Sequence, residues 1–525
     1  MPAGRPPDRS DAKMNKLMYQ RRDFLKLVGT AALAFPRLGK TDGAGFQGSE
    51  TKRPNFVFVL ADDMRWDALS CAGNPVLKTP ALDRLAAGGT RFQNAFVTTS
   101  ICAVSRACIL TGQHACRHGV NDFHTPLRSL EGVYPTVLRQ NGYYTGFIGK
   151  WGINDSDRSY YQQCAMAYDF WAGDMVQALY WHDRDCNYIR NNGTTERANF
   201  FCSCPKASQG LNGCGQNKGP HPSLKNPVHE TEFVPAKIRS FLDQRDPAKP
   251  FCLAVSLKAP HGPWHGYAPR FEQDFNGVDI PARGNVTLAE ALRQPEFLRK
   301  SLESEHGLEM IEKPDRRNAQ LRQYYRLIEG VDACLGEIQQ ELQQRGLTNN
   351  TVLIFSSDNG HFAAEHGFWG KWFMHEESLR VPLLICDPRA PVAKRGQISD
   401  AMALNIDIAP TILGLAGLSA PAAMQGQSLL PILRTPEAPL RDAFFYQHLY
   451  EHSPKPPKHI EPCEGVRTRD WKYTAWLKQT GPGSEELYDL HANPLETKNL
   501  ATDPAYAKQL DELRERCRTF KKELK

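Results

Sequence analysis

Two patterns of apolar and polar positions alternate along this chain. Short runs that are apolar on consecutive residues, such as Phe56-Val57-Phe58-Val59-Leu60, occur in residues 55–60, 251–257 and 351–355. Runs of this kind fit strands covered on both faces in a parallel sheet. Between them lie segments with a helical period. In residues 318–345, Leu321, Tyr324, Tyr325, Ile328, Val331, Leu335, Ile338 and Leu342 fall on one side of a long helix closed by Gly346. Thr79-Pro80 reads as a helix start, with Leu82, Leu85 and Ala86 inward and Gly88 as the stop. Further strands are predicted near residues 91–97, 143–148 and 381–385, and further helices at 135–140, 232–244 and 407–415. Strands alternating with helices give an α/β class.

Residues 153–230 break this rhythm. Aromatic residues accumulate there with Cys164, Cys186, Cys202, Cys204 and Cys214. A long irregular segment in a compact domain is more often functional than idle, so it reads as an insertion that roofs an active site and shapes substrate choice. Cys202, Cys204, Cys214 and His221 fit disulfides, a zinc site or free thiols; disulfides suit an exported chain best. Export itself is read from Arg21-Arg22-Asp23-Phe24-Leu25-Lys26 and the short apolar run at 27–35. These resemble a twin-arginine signal, which implies the twin-arginine machinery as a partner and a bacterial periplasmic destination. A disordered basic tail is the plainer alternative.

Composition narrows the function classes. The chain has 525 residues, 41% of them apolar, enough for a large core and more than one domain. With 64 Lys and Arg against 58 Asp and Glu there is no basic excess of the kind that marks a nucleic-acid binder. No apolar run approaches the ~20 residues that span a bilayer.

The candidate chemistry sits at the ends of the predicted strands. Asp62-Asp63, Lys150, His261 and Asp358-Asn359 each follow such a run, and open α/β sheets bind ligands beyond the C-terminal ends of their strands. Singly, Asp62-Asp63 reads as a helix cap or turn and Asp358-Asn359-Gly360 as a tight turn. Jointly, carboxylates from distant strands would repel one another unless a cation lay between them. Three carboxylates and a carboxamide are hard oxygen ligands, which suit Ca²⁺ or Mg²⁺. Cys102 opens an apolar helical stretch with Arg106 four residues on. A buried structural cysteine is the bland reading, and a nucleophile at a helix N-terminus facing an anion is the sharp one.

Cys102, Ser105, Arg106, Leu110, Thr111 and Gly112 resemble the modification signature of the type I, formylglycine-dependent sulfatases of the alkaline phosphatase-like superfamily. Val104 stands where that family usually has proline. Leu60-Ala61-Asp62-Asp63, Gly149-Lys150-Trp151, Pro260-His261, Ser357-Asp358-Asn359-Gly360 and Gly367-Phe368-Trp369-Gly370-Lys371 extend the likeness in family order. The resemblance implies a mixed, mostly parallel sheet sandwiched by helices, with a small C-terminal subdomain built on a four-stranded antiparallel sheet. It divides the chain into an export signal and linker at 1–50, a catalytic domain at 51–435 and the C-terminal subdomain at 436–525. It implies sulfate-ester hydrolysis, on a sulfated small molecule or glycan, by a formylglycine (3-oxoalanine) made from Cys102 by a formylglycine-generating enzyme. Asp62, Asp63, Asp358, Asn359 and the modified Cys102 would hold one Ca²⁺, with Mg²⁺ second. Lys150, His261 and Lys371 would bind sulfate, with His265 beside them, and Arg106 would steady the aldehyde hydrate. A phosphonate monoester or phosphodiester hydrolase, and a non-catalytic binder of sulfated glycans, are the alternatives. Gly152 occupies the place of a family histidine, which leaves the final proton acceptor open among His114, His118 and His265.

Overall fold

The computed structural model describes residues 52–154, 158–174, 180–183, 226–451 and 459–524. The expected export signal lies outside them. So do Cys186, Cys202, Cys204, Cys214 and His221, with the disulfide and zinc readings placed on them.

Eight strands form the main sheet: β1 Asn55–Ala61, β2 Thr90–Phe96, β3 Tyr144–Lys150, β4 Phe170–Asp174, β5 Phe251–Ser256, β6 Thr351–Ser357, β7 Leu383–Cys386 and β8 Gln397–Leu404. Their order is β8-β2-β7-β6-β1-β5-β3-β4. All pairings are parallel except those of β7, which runs against both β2 and β6. The alternation of side chains divides the core between the two faces. Phe56, Phe58 and Leu60 join one cluster, while Val57, Val59 and Ala61 join the other. Each fully buried side chain of this size contributes roughly 1.5–3 kcal/mol. The first face carries helix α1, Cys102–Thr111. The second carries α2 Glu230–Gln244 and the long α3 Pro314–Gln344, whose Tyr324, Ile328, Val331, Leu335, Ile338 and Leu342 pack inward as the period predicts.

Four strands, β9 Ala443–His448, β10 Cys463–Thr468, β11 Trp471–Trp476 and β12 Glu485–Asp489, form an antiparallel sheet in that order. Its faces also divide by alternation. Phe444, Tyr446, Cys463 and Trp476 enter the main core, and Ala443, Phe445, Val466, Tyr473 and Leu487 cover helix α4, Ala507–Glu523. Among the described residues no helix is long and apolar enough to cross a membrane.

Two sequence readings change. The segment expected to be irregular contains a helix, Arg158–Met166, and β4, which extends the main sheet beside β3. The run Phe170-Trp171-Ala172-Gly173 is short and ends in glycine, so it carries little strand signal of its own; pairing with β3 makes it a strand. Lys150 is the last residue of β3 rather than a residue beyond it.

Candidate active site

Parallel strands bring their C-terminal ends to one edge, and the polar residues after β1, β3, β5 and β6 meet there. Asp62 and Asp63 follow β1 directly. Asp63 takes a left-handed φ of 66°, a conformation that must be held by its surroundings. Its N–H donates to Asp358 Oδ1 at 3.1 Å, and its carbonyl accepts from Tyr324 Oη at 2.7 Å. Met64 N–H donates to Ser357 Oγ at 2.8 Å, which ties the end of β1 to that of β6. Asp62 N–H donates to Ala259 O at 3.2 Å, which ties it to the loop after β5.

Cys102 is the first residue of α1 and is 1% exposed. The first helical bond runs from Ser105 N–H to Ile101 O at 2.8 Å. Val104 therefore lies in the opening turn, where N–H groups lack a helical partner and proline is tolerated. Arg106, one turn on, gathers the strand ends. Its Nε and Nη2 reach Asp358 Oδ2 at 2.9 and 2.8 Å, and Nη2 lies 3.6 Å from Asp62 Oδ2. Its Nη1 donates to Lys150 O at 2.8 Å and to Ser256 Oγ. Lys150 Nζ donates to Asp62 Oδ2. Lys371 Nζ donates to Asp63 Oδ1 at 2.5 Å and lies 3.6 Å from Cys102 Sγ. His261 places Nε2 3.6 Å from Asp63 Oδ2 and Nδ1 2.8 Å from Gly262 O.

Burial would raise the Asp62 carboxyl, but Lys150, His261 and Arg106 outweigh it and hold the group well below its usual range. Asp63 is lowered too, against burial, by Lys371 and His261. Asp358 goes the other way: burial, then repulsion from Asp62, pushes it up to about 7. Burial lowers His261 to about 4 despite the nearby aspartates, so its ring is neutral at pH 7. Lys371 is held well above its ordinary value, against burial, by Asp63 and Cys102.

Two oxygens in this group are fully buried with no hydrogen-bond partner, Asp62 Oδ1 and Asn359 Oδ1. An orphaned buried oxygen costs free energy unless something polar meets it. Asp62, Cys102 and Asp358 offer atoms within 4.8 Å of one another, as do Asp62, Asp63 and His261. Orphaned oxygens, crowded carboxylates and an all-oxygen carboxylate and amide set fit a divalent hard cation.

The other predicted residues fare differently. His265 lies in a short turn after His261, and among the described residues no hydrogen bond or ion pair joins it to this group. His118 meets α1 at Cys108, Nε2 to Sγ 3.3 Å, and caps Val120 N–H at 3.1 Å. His114 has its N–H on Gln425. Both belong to the far end of α1 from Cys102. Gly152 has φ 72°, and a Cβ there would lie 2.9 Å from Arg106 Cδ and 3.2 Å from Lys150 Cε. Sequence reading missed Ser256, Tyr324 and Lys258. Ser256 and Lys258 stand two and four residues beyond Ala254 on β5, in phase with each other, and that phase was the available signal.

A family model described as Sulfatase matches residues 54–418, and one described as N-sulphoglucosamine sulphohydrolase, C-terminal, matches residues 364–523. The chain is 29% identical to an N-acetylglucosamine-6-O-sulfatase of Bacteroides thetaiotaomicron, over 94% of this chain and 91% of that one. Among solved structures, it resembles one in complex with its substrate D-glucosamine-2-N,6-O-disulfate, with TM-score 0.72, 27% identity, and 90% and 98% of the two chains covered. A phosphonate monoester hydrolase of Agrobacterium radiobacter shares the fold, with TM-score 0.67, 23% identity, and 90% and 96% covered.

Proposed function

This chain belongs to the sulfatase family and is a sulfuric ester hydrolase, and we propose that it cleaves sulfate esters on a sulfated amino sugar, with N-acetylglucosamine 6-sulfate as the type substrate. The observation that carries the reading is the meeting of Cys102 Sγ, Lys371 Nζ and the orphaned oxygens of Asp62 and Asn359 in one buried group. The sugar assignment draws on the amino-sugar sulfatase relative and the disulfated glucosamine complex.

In this reading Asp62, Asp63, Asp358 and Asn359 would hold one Ca²⁺ beside residue 102, and Cys102 would be converted to formylglycine by a formylglycine-generating enzyme before twin-arginine export to the periplasm. A cation held there would supply positive charge against an anionic ester and favour ionisation of a hydroxyl, and a hydrated aldehyde at residue 102 would offer two hydroxyls where serine or thiol offers one group, so that sulfate could be released after capture. Lys150 and Lys371 meet the sulfate oxygens, whose charge otherwise repels a nucleophile. Lys371, held protonated, donates to the departing alcohol oxygen. The neutral ring of His261, with Nδ1–H on Gly262 O, presents Nε2 as an acceptor, which suits taking a proton. It thereby fills the role that Gly152 leaves open. Arg106 fixes the Asp358 carboxylate and the backbone of Lys150 around residue 102.

The test pairs a mass spectrum of the Cys102 peptide with turnover assays. An aldehyde at residue 102, with N-acetylglucosamine 6-sulfate cleaved faster than an aryl phosphodiester or a phosphonate monoester, is expected. An unmodified thiol would overturn the formylglycine assignment, and preference for the phosphorus esters would overturn the substrate class.

A further inference from the structure

Lys258 is a buried cation without a direct ion pair among the described residues. It lies two residues past the end of β5 and is 5% exposed. Its ammonium makes no hydrogen bond or ion pair among the described residues; its one recorded partner is the ring face of Tyr180, 5.3 Å away. The Glu230 carboxylate is held by the backbone here: its oxygens accept Lys258 N–H at 2.6 Å and Ala259 N–H at 3.2 Å. Tyr180 in turn donates from its hydroxyl to His261 O, so the ring that backs the ammonium is anchored to the active-site loop.

The charge around it makes the point sharper. Asp62, Asp63 and Asp358 are met by Lys150, Lys371 and Arg106, three against three. Lys258 stands apart from these pairs, with no carboxylate in direct contact with its ammonium among the described residues. Its charged neighbours are Lys150, Asp62, Glu230 and Asp63, and burial together with Lys150 lowers it to about 8. A buried ion without a partner costs several kcal/mol, so a fold that retains one beside an anion-processing site has a use for it.

We propose that Lys258 is a further anion-binding residue of the active site, which contacts a sulfate-class group on the substrate. The inference rests on the sulfatase reading above. Two sources of that anion are possible, the scissile sulfate or a second sulfate or sulfamate on the same sugar.

The test compares wild type with Lys258→Met and Lys258→Arg in the full chain. It uses N-acetylglucosamine 6-sulfate, glucosamine 2-N,6-O-disulfate and 4-nitrophenyl sulfate, with inorganic sulfate as inhibitor. Loss of one charge-assisted contact should raise KM about ten- to a hundredfold with kcat within about threefold, and arginine should restore most of it. A rise confined to the disulfated sugar identifies the second anion. A rise for every ester, with weaker inhibition by sulfate, identifies the scissile group. Unchanged KM and unchanged sulfate inhibition would overturn the proposal. So would a fall in kcat and melting temperature with KM intact, the mark of a structural role. If wild type cleaves 4-nitrophenyl sulfate but neither sugar, the amino-sugar reading fails, while sulfate inhibition still tests Lys258.

Discussion

Two buried groups of charge in this protein are composed alike and used differently. Around Glu376, Glu377 and Glu496 each charge meets its opposite from another segment. Lys472 Nζ lies 3.0 Å from Glu376 Oε1 and 2.6 Å from Glu496 Oε1, and Arg467 reaches Glu376 at 3.4 Å. Glu376 N–H donates to Glu496 Oε2 at 2.9 Å, and Asn285 Nδ2 to Glu377 Oε1 at 3.0 Å. His366 stands between Glu290 and Glu377 at 3.5 and 3.7 Å. These bonds clasp the C-terminal sheet to the segment that carries Lys371. His366, Glu377 and Glu496 come close enough to resemble metal ligands, but lysine and amide already serve them. At the strand ends Asp62 Oδ1 and Asn359 Oδ1 lack a hydrogen bond, as Glu377 Oε2 and Glu496 Oε1 do in the clasp, but here the charges surround Cys102, with Lys371 Nζ 3.6 Å from its sulfur. Neither the density of buried charge nor an orphaned oxygen separates a scaffold from a site; what the charges surround does.

The contrast breaks most visibly at Asp62 and Asp358. Asp62→Ala or Asp358→Ala should cut kcat on an aryl sulfate by on the order of 10³-fold or more, with the far-ultraviolet circular dichroism unchanged. Full activity in either variant would remove the cation assignment. Next in size, dialysis against a chelator should abolish turnover, and Ca²⁺ should restore it. Calcium at a hundred times its Kd should add about 2.7 kcal/mol to unfolding. Elemental analysis should find one ion per chain, because the clasp needs none; two would erase the distinction drawn here.

Lys472→Met attacks the clasp instead. It leaves Glu376 and Glu496 buried without their lysine, at a cost of about 3–5 kcal/mol in denaturant unfolding, while kcat of the folded fraction stays within a few-fold. The smallest effect is in pH. Hydrogen bonds to Glu290 and Glu377 overcome burial and raise His366 to about 10. A raised pKa stabilises fully below the unfolded value of a histidine, about 6.5, and that contribution is lost as pH climbs through 10. Glu377, held well below its ordinary value against burial by His366, loses its contribution only as pH falls through its lowered folded value. The stability difference between wild type and His366→Asn should therefore be full below about pH 6.5, shrink as pH rises from there and be gone above about pH 10.

Much of this was legible before any coordinates. Doubly apolar runs marked β1, β5 and β6 because burial on both faces leaves that trace, and the helical period marked α3. The strand ends marked Asp62, Asp63, Lys150, Asp358 and Asn359, which do converge. Other features left no local trace. The reversed direction of β7 is set by its neighbours, since an apolar tetrapeptide reads alike both ways. β4 is made by pairing. Arg106 was expected beside residue 102, but its grip on Lys150 O and Ser256 Oγ depends on which strands lie side by side. His265 was chosen for nearness in sequence to His261, and among the described residues no hydrogen bond or ion pair joins it to the group.

Tyr446, which enters the main core from the antiparallel sheet, has a consequence in time. Tyr446, on β9, donates to Trp372 O and accepts from Ser100 N–H at 3.2 Å, and Ser100 precedes it in the chain by 346 residues. That oxygen bolts the approach to Cys102 to the turn beyond Lys371, and with both in place Cys102 is sealed. On the formylglycine reading proposed above, an enzyme that modifies the Cys102 thiol would therefore work against a clock. Its opportunity runs from the emergence of residue 102 during synthesis until the strand bearing Tyr446 has been made and docked, and slower closure of the C-terminal sheet lengthens it.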